Sequence, residues 1–194
     1  RVHRRQRQMC IRDRGKTVFI TREPGGTLIG EKIRNLLQDP SLKNEISDMA
    51  ELLLFSASRA ELIASRILPA LKRGEIVICD RFYDSTYVYQ GLGRAIGMDI
   101  VEQLNQMTVG TLKPDLTILL DLDAEVGIER AKSRQSGNLD RIENESITFF
   151  EAVRNGYLEL AQKEPERFKT IDGLLSVDAI KEIVWDTVEN KFLS

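Results

Sequence analysis

Thr-Arg-Glu-Pro-Gly-Gly-Thr at residues 21–27 directly follows the apolar run Val-Phe-Ile at 18–20, and Asp-Arg-Phe-Tyr-Asp-Ser at 80–85 directly follows Ile-Val-Ile-Cys at 76–79. Both apolar runs are short and β-prone, and a charged segment comes directly after each of them. In an open parallel sheet, the carboxyl ends of the strands face the ligand crevice. The two charged segments are therefore expected to meet at one crevice.

The two segments carry two arginines and two carboxylates, namely Arg22, Glu23, Asp80 and Arg81. The planar fork of arginine suits phosphate, and a neighbouring carboxylate suits a metal ion or an arginine. The proline and the two glycines of the first segment allow its backbone to approach an anion closely. The pattern favours phosphoryl chemistry on a small anionic molecule, although a plain strand-to-helix turn with a solvated ion pair remains open for residues 21–27.

Strand and helix patterns alternate along the chain, which is typical of an α/β fold with a parallel sheet flanked by helices. Strands are predicted at 18–21, 76–80, 116–121 and 168–171, and helices at 29–38, 47–71, 84–90, 99–109, 124–133, 147–162 and 177–192. The third strand is apolar enough to be fully buried. Ser47 or Asp48 is expected to cap the long second helix. If residues 80–85 are only structural, Asp84 or Ser85 caps the helix that follows.

Composition excludes several classes of protein. The formal net charge is −2, so nothing global points to a nucleic-acid or membrane partner, and no apolar run approaches the roughly 20 residues of a membrane span. Cys10 and Cys79 fit no metal-site spacing, and reduced thiols favour a cytoplasmic location. His3 is the only histidine, so neither histidine catalysis nor a histidine metal site is expected.

Residues 1–14 differ from the rest of the chain, because they hold six arginines against one aspartate and show no periodicity. We expect this basic segment to be disordered or extraneous and residues 15–194 to form one domain, with a nucleic-acid-binding arm as the alternative. Gly15-Lys16-Thr17 resembles the end of a phosphate-binding P-loop. That motif needs an earlier glycine at the position of Cys10, so a turn into the first strand is preferred.

A helical pair and the second charged segment together suit a nucleobase. Phe55 and Arg59 are four residues apart and share a helix face, so a ring for stacking lies beside a donor for a base carbonyl. A core phenylalanine with a surface arginine has the same pattern and remains open. Ser85, Thr86 and Tyr89 add polar and aromatic groups after Arg81.

Charged residues flank a polar break at 135–138. Lys132 and Arg134 precede the break, and Asp140 and Glu143 follow it within Asp-Arg-Ile-Glu. Basic groups on a mobile segment can close over phosphates and neutralise developing charge. A solvated loop is the alternative.

Taken in order, these motifs resemble those of the thymidylate kinase family, in its bacterial type, from about Gly15 to the C-terminus. The resemblance rests on residues 21–27, Leu-Phe-Ser-Ala-Ser-Arg at 54–59, Asp-Arg-Phe at 80–82 with Tyr-Gln-Gly at 89–91, Pro-Asp-Leu-Thr at 114–117 and Asp-Arg-Ile-Glu at 140–143. It implies a P-loop kinase fold of the nucleoside monophosphate kinase type, ATP and Mg²⁺, and usually a homodimer. It also implies transfer of the γ-phosphoryl group of ATP to dTMP, giving dTDP.

The resemblance also implies roles for individual residues. Phe55 would stack on thymine, Arg59 would donate to its O4 atom, Thr86 would contact the N3 edge with help from Gln90, and Tyr89 would crowd the 2′ position of the sugar. Arg22 and Arg81 would hold the dTMP phosphate, with Glu23 and Asp80 near the metal and phosphates. Lys132 and Arg134 would form a basic lid whose arginine helps the transfer, and Asp140 and Glu143 would position the acceptor.

One departure from the family concerns the phosphate-binding loop. The family begins with a strand, a P-loop and a helix, which this sequence lacks, and the strand belongs in the middle of the sheet. We therefore expect negligible kinase turnover from these 194 residues. A dTMP-binding or dimer-forming module without turnover, and a kinase for another nucleotide, are the alternatives.

Overall fold

The computed structural model describes residues 17–134 and 139–193, so the predictions for residues 1–14 and for the break at 135–138 lie outside the described residues. The strands of the described part are β1 (Val18–Arg22), β2 (Ile76–Asp80), β3 (Thr117–Asp121) and β4 (Phe168–Asp172). β1 pairs with β2 and β3 pairs with β4, both in parallel. Within those residues β2 and β3 form no ladder with each other. Parallel strands with flanking helices confirm the α/β class.

The strand ends that carry the two charged segments lie side by side. Arg22 is in register with Asp80, and the Glu23 amide donates to the Asp80 carbonyl at 3.0 Å. The expected meeting of the two segments at one sheet edge is therefore confirmed.

The predicted helices of the described part are present. They are α1 (Leu28–Gln38), α2 (Asp48–Leu62), α3 (Leu68–Lys72), α4 (Tyr83–Thr86), α5 (Met98–Val109), α6 (Ala124–Arg134), α7 (Ile147–Lys163) and α8 (Val177–Phe192). A π-helical turn at Ile63–Ile67 joins α2 to α3, and another at Tyr87–Gly93 continues α4. Ser47 caps α2 by accepting from the Ala50 amide, as predicted. Among the described helices, none is both long and apolar enough to cross a membrane.

Two expectations from the sequence are wrong. The apolar strand β3 was expected to be fully buried, but it is half-buried and Leu120 is 49% exposed. The reason is that, within the described residues, β3 has a paired neighbour on one edge only. In addition, neither Asp84 nor Ser85 caps α4, because Phe82 holds the cap position and Asp84 lies buried inside the helix.

A buried ion pair explains why Asp84 is inside. Arg167, just before β4, donates from NH1 to Asp84 Oδ2 at 2.7 Å and from NH2 to Asp84 Oδ1 at 2.8 Å. Arg167 also donates to the Thr117 hydroxyl at 2.9 Å and to Glu164. Its hydrogen bonds lower the pKa of Glu164 to about 2, against the opposing effect of burial. Because Asp84 follows β2 and Thr117 begins β3, this cluster ties the two strand pairs together.

Candidate active site

A cavity of about 470 Å³ lies at the carboxyl ends of β1, β2 and β3. Its size suits a small-molecule ligand such as a mononucleotide. Eight predicted site residues line it: Arg22, Glu23, Phe55, Asp80, Arg81, Tyr89, Asp140 and Glu143. Of the other predicted residues, Arg59, Thr86 and Gln90 are buried outside the lining and Lys132 is exposed outside it, so the cavity brings together most of the candidate set. We call this space the central cavity.

Arg81 presents a guanidinium to the central cavity. Its backbone is in the left-handed region at φ 71°, a conformation that non-glycine residues adopt only where the surroundings hold it. The guanidinium carbon lies 4.3 Å from the centroid of the Tyr89 ring, and Nε donates to Ser85 Oγ at 3.3 Å. Both partners are electrically neutral, so these contacts do not neutralise the charge of Arg81.

The turn at residues 21–27 does not present its amides to a ligand, which corrects the expectation of a backbone anion cradle. Gly26 N donates to Glu31 Oε1 at 2.8 Å, and Gly25 N donates to Ser58 Oγ at 3.2 Å. Arg22 reaches the central cavity, but its NH2 also donates to Glu31 Oε2 at 2.7 Å. Glu31 therefore occupies the place that an anion would take at this turn. A side chain on Gly26 would collide with the Thr21 hydroxyl, and the φ of Gly26 is +77°, which explains the need for glycine there.

Arg59 is buried beneath the central cavity and is not a surface residue, so that alternative is wrong. It is 0% exposed and donates to both carboxylate oxygens of Glu23, to Thr86 Oγ1, and to Asn105 Oδ1 at 2.8 Å. Burial raises the pKa of Glu23, and the guanidinium of Arg59 acts against that rise. Four of the five N–H donors of Arg59 thus serve protein groups, one in each of these four hydrogen bonds.

Phe55, the residue predicted to stack on the base, forms part of the cavity wall. It is 6% exposed, packs with Leu37 and Ile142, and lines the central cavity together with Tyr89. Thr86 and Gln90 lie behind this wall and are buried. Thr86 accepts from Arg59, and Gln90 Nε2 donates to Glu51 Oε1 at 2.7 Å. The structure therefore places Phe55 and Tyr89 at the cavity, and Thr86 and Gln90 in its support.

The turn at 139–143 closes one side of the central cavity. Asp140 Oδ1 accepts from the amides of Ile142 and Glu143 at 2.9 and 2.8 Å, and Oδ2 accepts from Gln38 at 2.9 Å. Glu143 Oε2 accepts from the Asp140 amide at 3.2 Å. Both carboxylates thus hold their own turn in place. Lys132 on α6 is exposed and does not line the cavity, and Arg134 ends the same helix with a side chain outside the described residues.

Sequence reasoning missed three cavity residues, Arg34, Arg154 and Tyr157. Arg34 on α1 donates to the Pro24 carbonyl at 3.0 Å, and burial together with the charge of Arg22 lowers its pKa. Arg154 binds both oxygens of Asp121, at 2.8 and 3.1 Å, and also Asp123. The α7 residues that line the cavity are 150, 153, 154 and 157, which have the spacing of one helix face. That spacing is the sequence feature by which the cavity-facing side of α7 could have been found.

The cavity lining includes carboxylates that bear on Mg²⁺ binding. Both carboxylates expected near the metal, Glu23 and Asp80, line the cavity, and both oxygens of Glu23 accept hydrogen bonds from Arg59. In residues 17–134 and 139–193, no group of three metal-ligating side chains is present. Mg²⁺ needs only one or two carboxylates when phosphates supply the remaining ligands. Carboxylates of Asp80 and Glu23 would be available to hold such an ion at this end of the cavity.

A family model, curated relatives and a solved structure that resemble this chain all belong to the same family. The thymidylate kinase family model matches residues 5–184. A thymidylate kinase of Pelobacter propionicus is 48% identical over 182 residues, covering 91% of this chain and 83% of that relative. One of Pseudomonas putida is 47% identical over 171 residues, covering 88% and 80%. The crystal structure of thymidylate kinase from Ehrlichia chaffeensis matches with a TM-score of 0.69 and 34% identity, covering 89% of this chain and 80% of that one.

Proposed function

Because the chain belongs to the thymidylate kinase family, a family of phosphotransferases, we propose that its central cavity binds dTMP, with the phosphate at Arg81 and the thymine ring at Phe55. The observation that carries the proposal is that the Arg81 guanidinium and the Phe55 ring line the same cavity. Arg22 and Arg34 add positive charge on the same side. A bidentate guanidinium contact is among the strongest that proteins make with phosphate.

The chemistry needs positioning and charge neutralisation more than a covalent catalyst. An ionised oxygen of the dTMP phosphate attacks the γ-phosphorus of ATP, the bond from that phosphorus to the bridging oxygen breaks, and dTDP and ADP result. The attacking oxygen is already charged, so no strong base is needed. In this chain Arg81 holds and orients the acceptor phosphate, and Tyr89 supports Arg81 from below.

On this proposal, recognition of the base depends on the buried layer below the cavity. Arg59 is buried and does not line the cavity, and four of its five N–H donors bind Glu23, Thr86 and Asn105. Its main contribution is then to keep Glu23 and Thr86 in place. Gln90 contributes in the same indirect way, since its amide nitrogen faces the Glu51 carboxylate. The lid roles of Lys132 and Arg134 and the acceptor roles of Asp140 and Glu143 remain part of the proposal.

A second candidate function is dTMP binding without turnover by a polypeptide of these 194 residues. The observation that favours it is the absence of a Gly-x-x-x-x-Gly-Lys-Ser/Thr sequence from the printed chain. Amides and a lysine of that motif normally neutralise the phosphates of ATP. Stabilisation by dTMP that ATP and Mg²⁺ do not alter would support this candidate.

Replacing Arg81 by alanine is expected to weaken dTMP binding about 10- to 100-fold, because a charge-assisted contact to the phosphate contributes roughly 1.5–3 kcal/mol. Binding of thymidine, which has no phosphate, should change less than about twofold. Isothermal titration calorimetry with both ligands measures the two effects. Arg73→Ala is the matched control, because Arg73 is exposed, pairs with Glu75 and lies outside the cavity.

Ligand selectivity distinguishes a thymidylate kinase from a kinase for another nucleotide. The wild-type chain should be stabilised against heat by dTMP more than by dUMP, CMP or AMP at equal concentration. Equal stabilisation by AMP would contradict the proposal. A loss of thymidine affinity in Arg81→Ala as large as the loss for dTMP would show that Arg81 does not act on the phosphate.

A homodimer is also proposed, with an apolar face on α1 and α2 as the contact. Ile29 and Leu36 are seven residues apart on α1, and Met49 and Leu53 are four apart on α2, and all four side chains are at least 43% exposed. α1 packs on α2, so the exposed rows lie on adjoining helices. Large apolar side chains exposed on adjoining helices are a feature of surfaces that bind other protein chains.

Leu53→Glu is expected to convert the dimer to a monomer at about 10 μM protein, because a carboxylate at an apolar contact leaves a buried unpaired charge. Sedimentation velocity measures the mass in solution. Leu174→Glu is the control, since Leu174 is a 60% exposed leucine in a turn away from α1 and α2. A wild-type chain that sediments as a monomer at this concentration would contradict the dimer.

A further inference from the structure

Tyr157 is a cavity-lining residue to which neither the sequence motifs nor the proposed function gives a task. It lies on α7 and lines the central cavity with Arg81 and Tyr89. Its hydroxyl is 2.8 Å from Ser85 Oγ, at a site that is partly buried. Burial raises the pKa of the Tyr157 phenol, so the hydroxyl keeps its proton at neutral pH. The hydrogen bond to Ser85 is therefore present throughout the physiological range.

Ser85 is shared between Tyr157 and Arg81. Ser85 Oγ accepts from Arg81 Nε at 3.3 Å while it bonds to the Tyr157 hydroxyl. A serine hydroxyl has one hydrogen and two lone pairs, so it can make both bonds at once. Without the Tyr157 hydroxyl, the Ser85 hydroxyl would be free to rotate, and its lone pairs would no longer be held toward Arg81 Nε. The phenol thus fixes the direction from which Ser85 accepts the Arg81 hydrogen.

The second support of Arg81 acts in a different direction. Tyr89 contacts the face of the guanidinium, with the carbon 4.3 Å from the ring centroid, whereas Ser85 binds its Nε edge. A ring below a planar cation leaves the cation free to rotate in its plane, and an edge hydrogen bond removes that freedom. The orientation of the NH1 and NH2 atoms, which a phosphate would contact, therefore depends on Ser85.

We propose that Tyr157 is a positioning residue that, through Ser85, orients the Arg81 guanidinium for the phosphate of the bound nucleotide. The inference rests on the proposed function, because it takes Arg81 as the phosphate ligand. Tyr157 acts through Ser85 and not by contact with the nucleotide. It links α7, a helix distant in sequence from both charged segments, to the phosphate end of the site.

The test measures dissociation constants of dTMP and thymidine for the wild-type chain, Tyr157→Phe, Ser85→Ala and the double variant by calorimetry. Each single variant should weaken dTMP binding about five- to tenfold and leave thymidine binding within about twofold, since one oriented hydrogen bond is lost. The double variant should bind dTMP no more weakly than the single variant with the lower affinity. Both substitutions interrupt the same chain of hydrogen bonds from Tyr157 through Ser85 to Arg81, so their effects should not add. Tyr87→Phe is the control, as its hydroxyl donates to Glu102 outside the cavity.

The outcomes separate the inference from the proposed function. A wild-type chain that binds dTMP no better than thymidine contradicts both. If the wild-type chain prefers dTMP and Tyr157→Phe keeps the full preference, only the inference fails. Additive losses in the double variant would show that Tyr157 contacts the nucleotide directly and would also overturn it. If Tyr157→Phe fails to fold, the Ser85→Ala variant tests the inference. Unchanged dTMP affinity in Ser85→Ala would overturn it, because Tyr157 could then not act on Arg81 through Ser85.

Discussion

A polypeptide of these 194 residues is expected to phosphorylate dTMP at less than about one thousandth of the rate of a chimaera that carries a strand, a Gly-x-x-x-x-Gly-Lys-Ser/Thr loop and a helix in front of Gly15. Removal of a single preorganised donor to transition-state charge costs about 10²- to 10³-fold in turnover, and the P-loop supplies several. The sequence has Cys10 where the motif needs glycine before Gly15-Lys16-Thr17. A coupled assay of ADP release measures both rates.

The matched control for this prediction is the same chimaera with its P-loop lysine replaced by alanine. That variant should fold like the active chimaera and lose most of its turnover, which separates missing charge from missing structure. A normal turnover number from the 194-residue polypeptide would contradict the prediction outright. Equal dTMP affinity in the polypeptide and the chimaera would show that the acceptor site forms independently of the P-loop.

Arg167→Ala is expected to lower the free energy of unfolding by about 3–5 kcal/mol, because it leaves the Asp84 carboxylate buried without its cation. The side chains of Arg167 and Asp84 are each 6% exposed, so water cannot replace the lost partner. The variant also removes the hydrogen bond from Arg167 to Thr117, at the start of β3, and keeps only the longer direct bond from the Thr117 hydroxyl to Asp84 at 3.3 Å. Urea unfolding followed by circular dichroism measures the loss.

Two further variants test the cause of that loss. Arg73→Ala breaks the exposed pair with Glu75 and should cost less than about 1 kcal/mol. The double variant Asp84→Leu with Arg167→Met replaces both charges by apolar groups and should recover much of the stability. If Arg167→Ala unfolds at the same urea concentration as the wild-type chain, the buried pair does not join the two strand pairs energetically.

The sequence predicts the elements of this fold well because local patterns determine them. β1, β2, α5 and α8 begin and end within two residues of their predicted bounds, and Ser47 caps its helix as expected. Side-chain partners far apart in the chain have no such local signal. The pairing of Asp84 with Arg167 spans 83 residues, and nothing near Asp84 distinguishes an ion-pair partner from a helix cap.

The candidate site divides in the same way. Arg22, Asp80 and Arg81 follow strands, so the geometry of a parallel sheet places them at the cavity. Phe55 and Arg59 share a helix face, yet Phe55 lines the cavity, whereas Arg59 is fully buried and binds both carboxylate oxygens of Glu23. Helical spacing shows that two side chains lie on the same face of a helix, but it does not show how deeply each one is buried. The hydrogen bond from the Gly26 amide to Glu31 likewise depends on a side-chain rotamer that the sequence does not specify.

The central claim is that one cavity holds the phosphate of dTMP at one end and its base at the other. A crystal structure of the chain with dTMP tests it most directly. We predict a phosphate oxygen within about 3 Å of an Arg81 guanidinium nitrogen and the thymine ring against Phe55. A nucleotide bound outside the cavity, or bound with its base at Arg81 and its phosphate at Phe55, would contradict the claim.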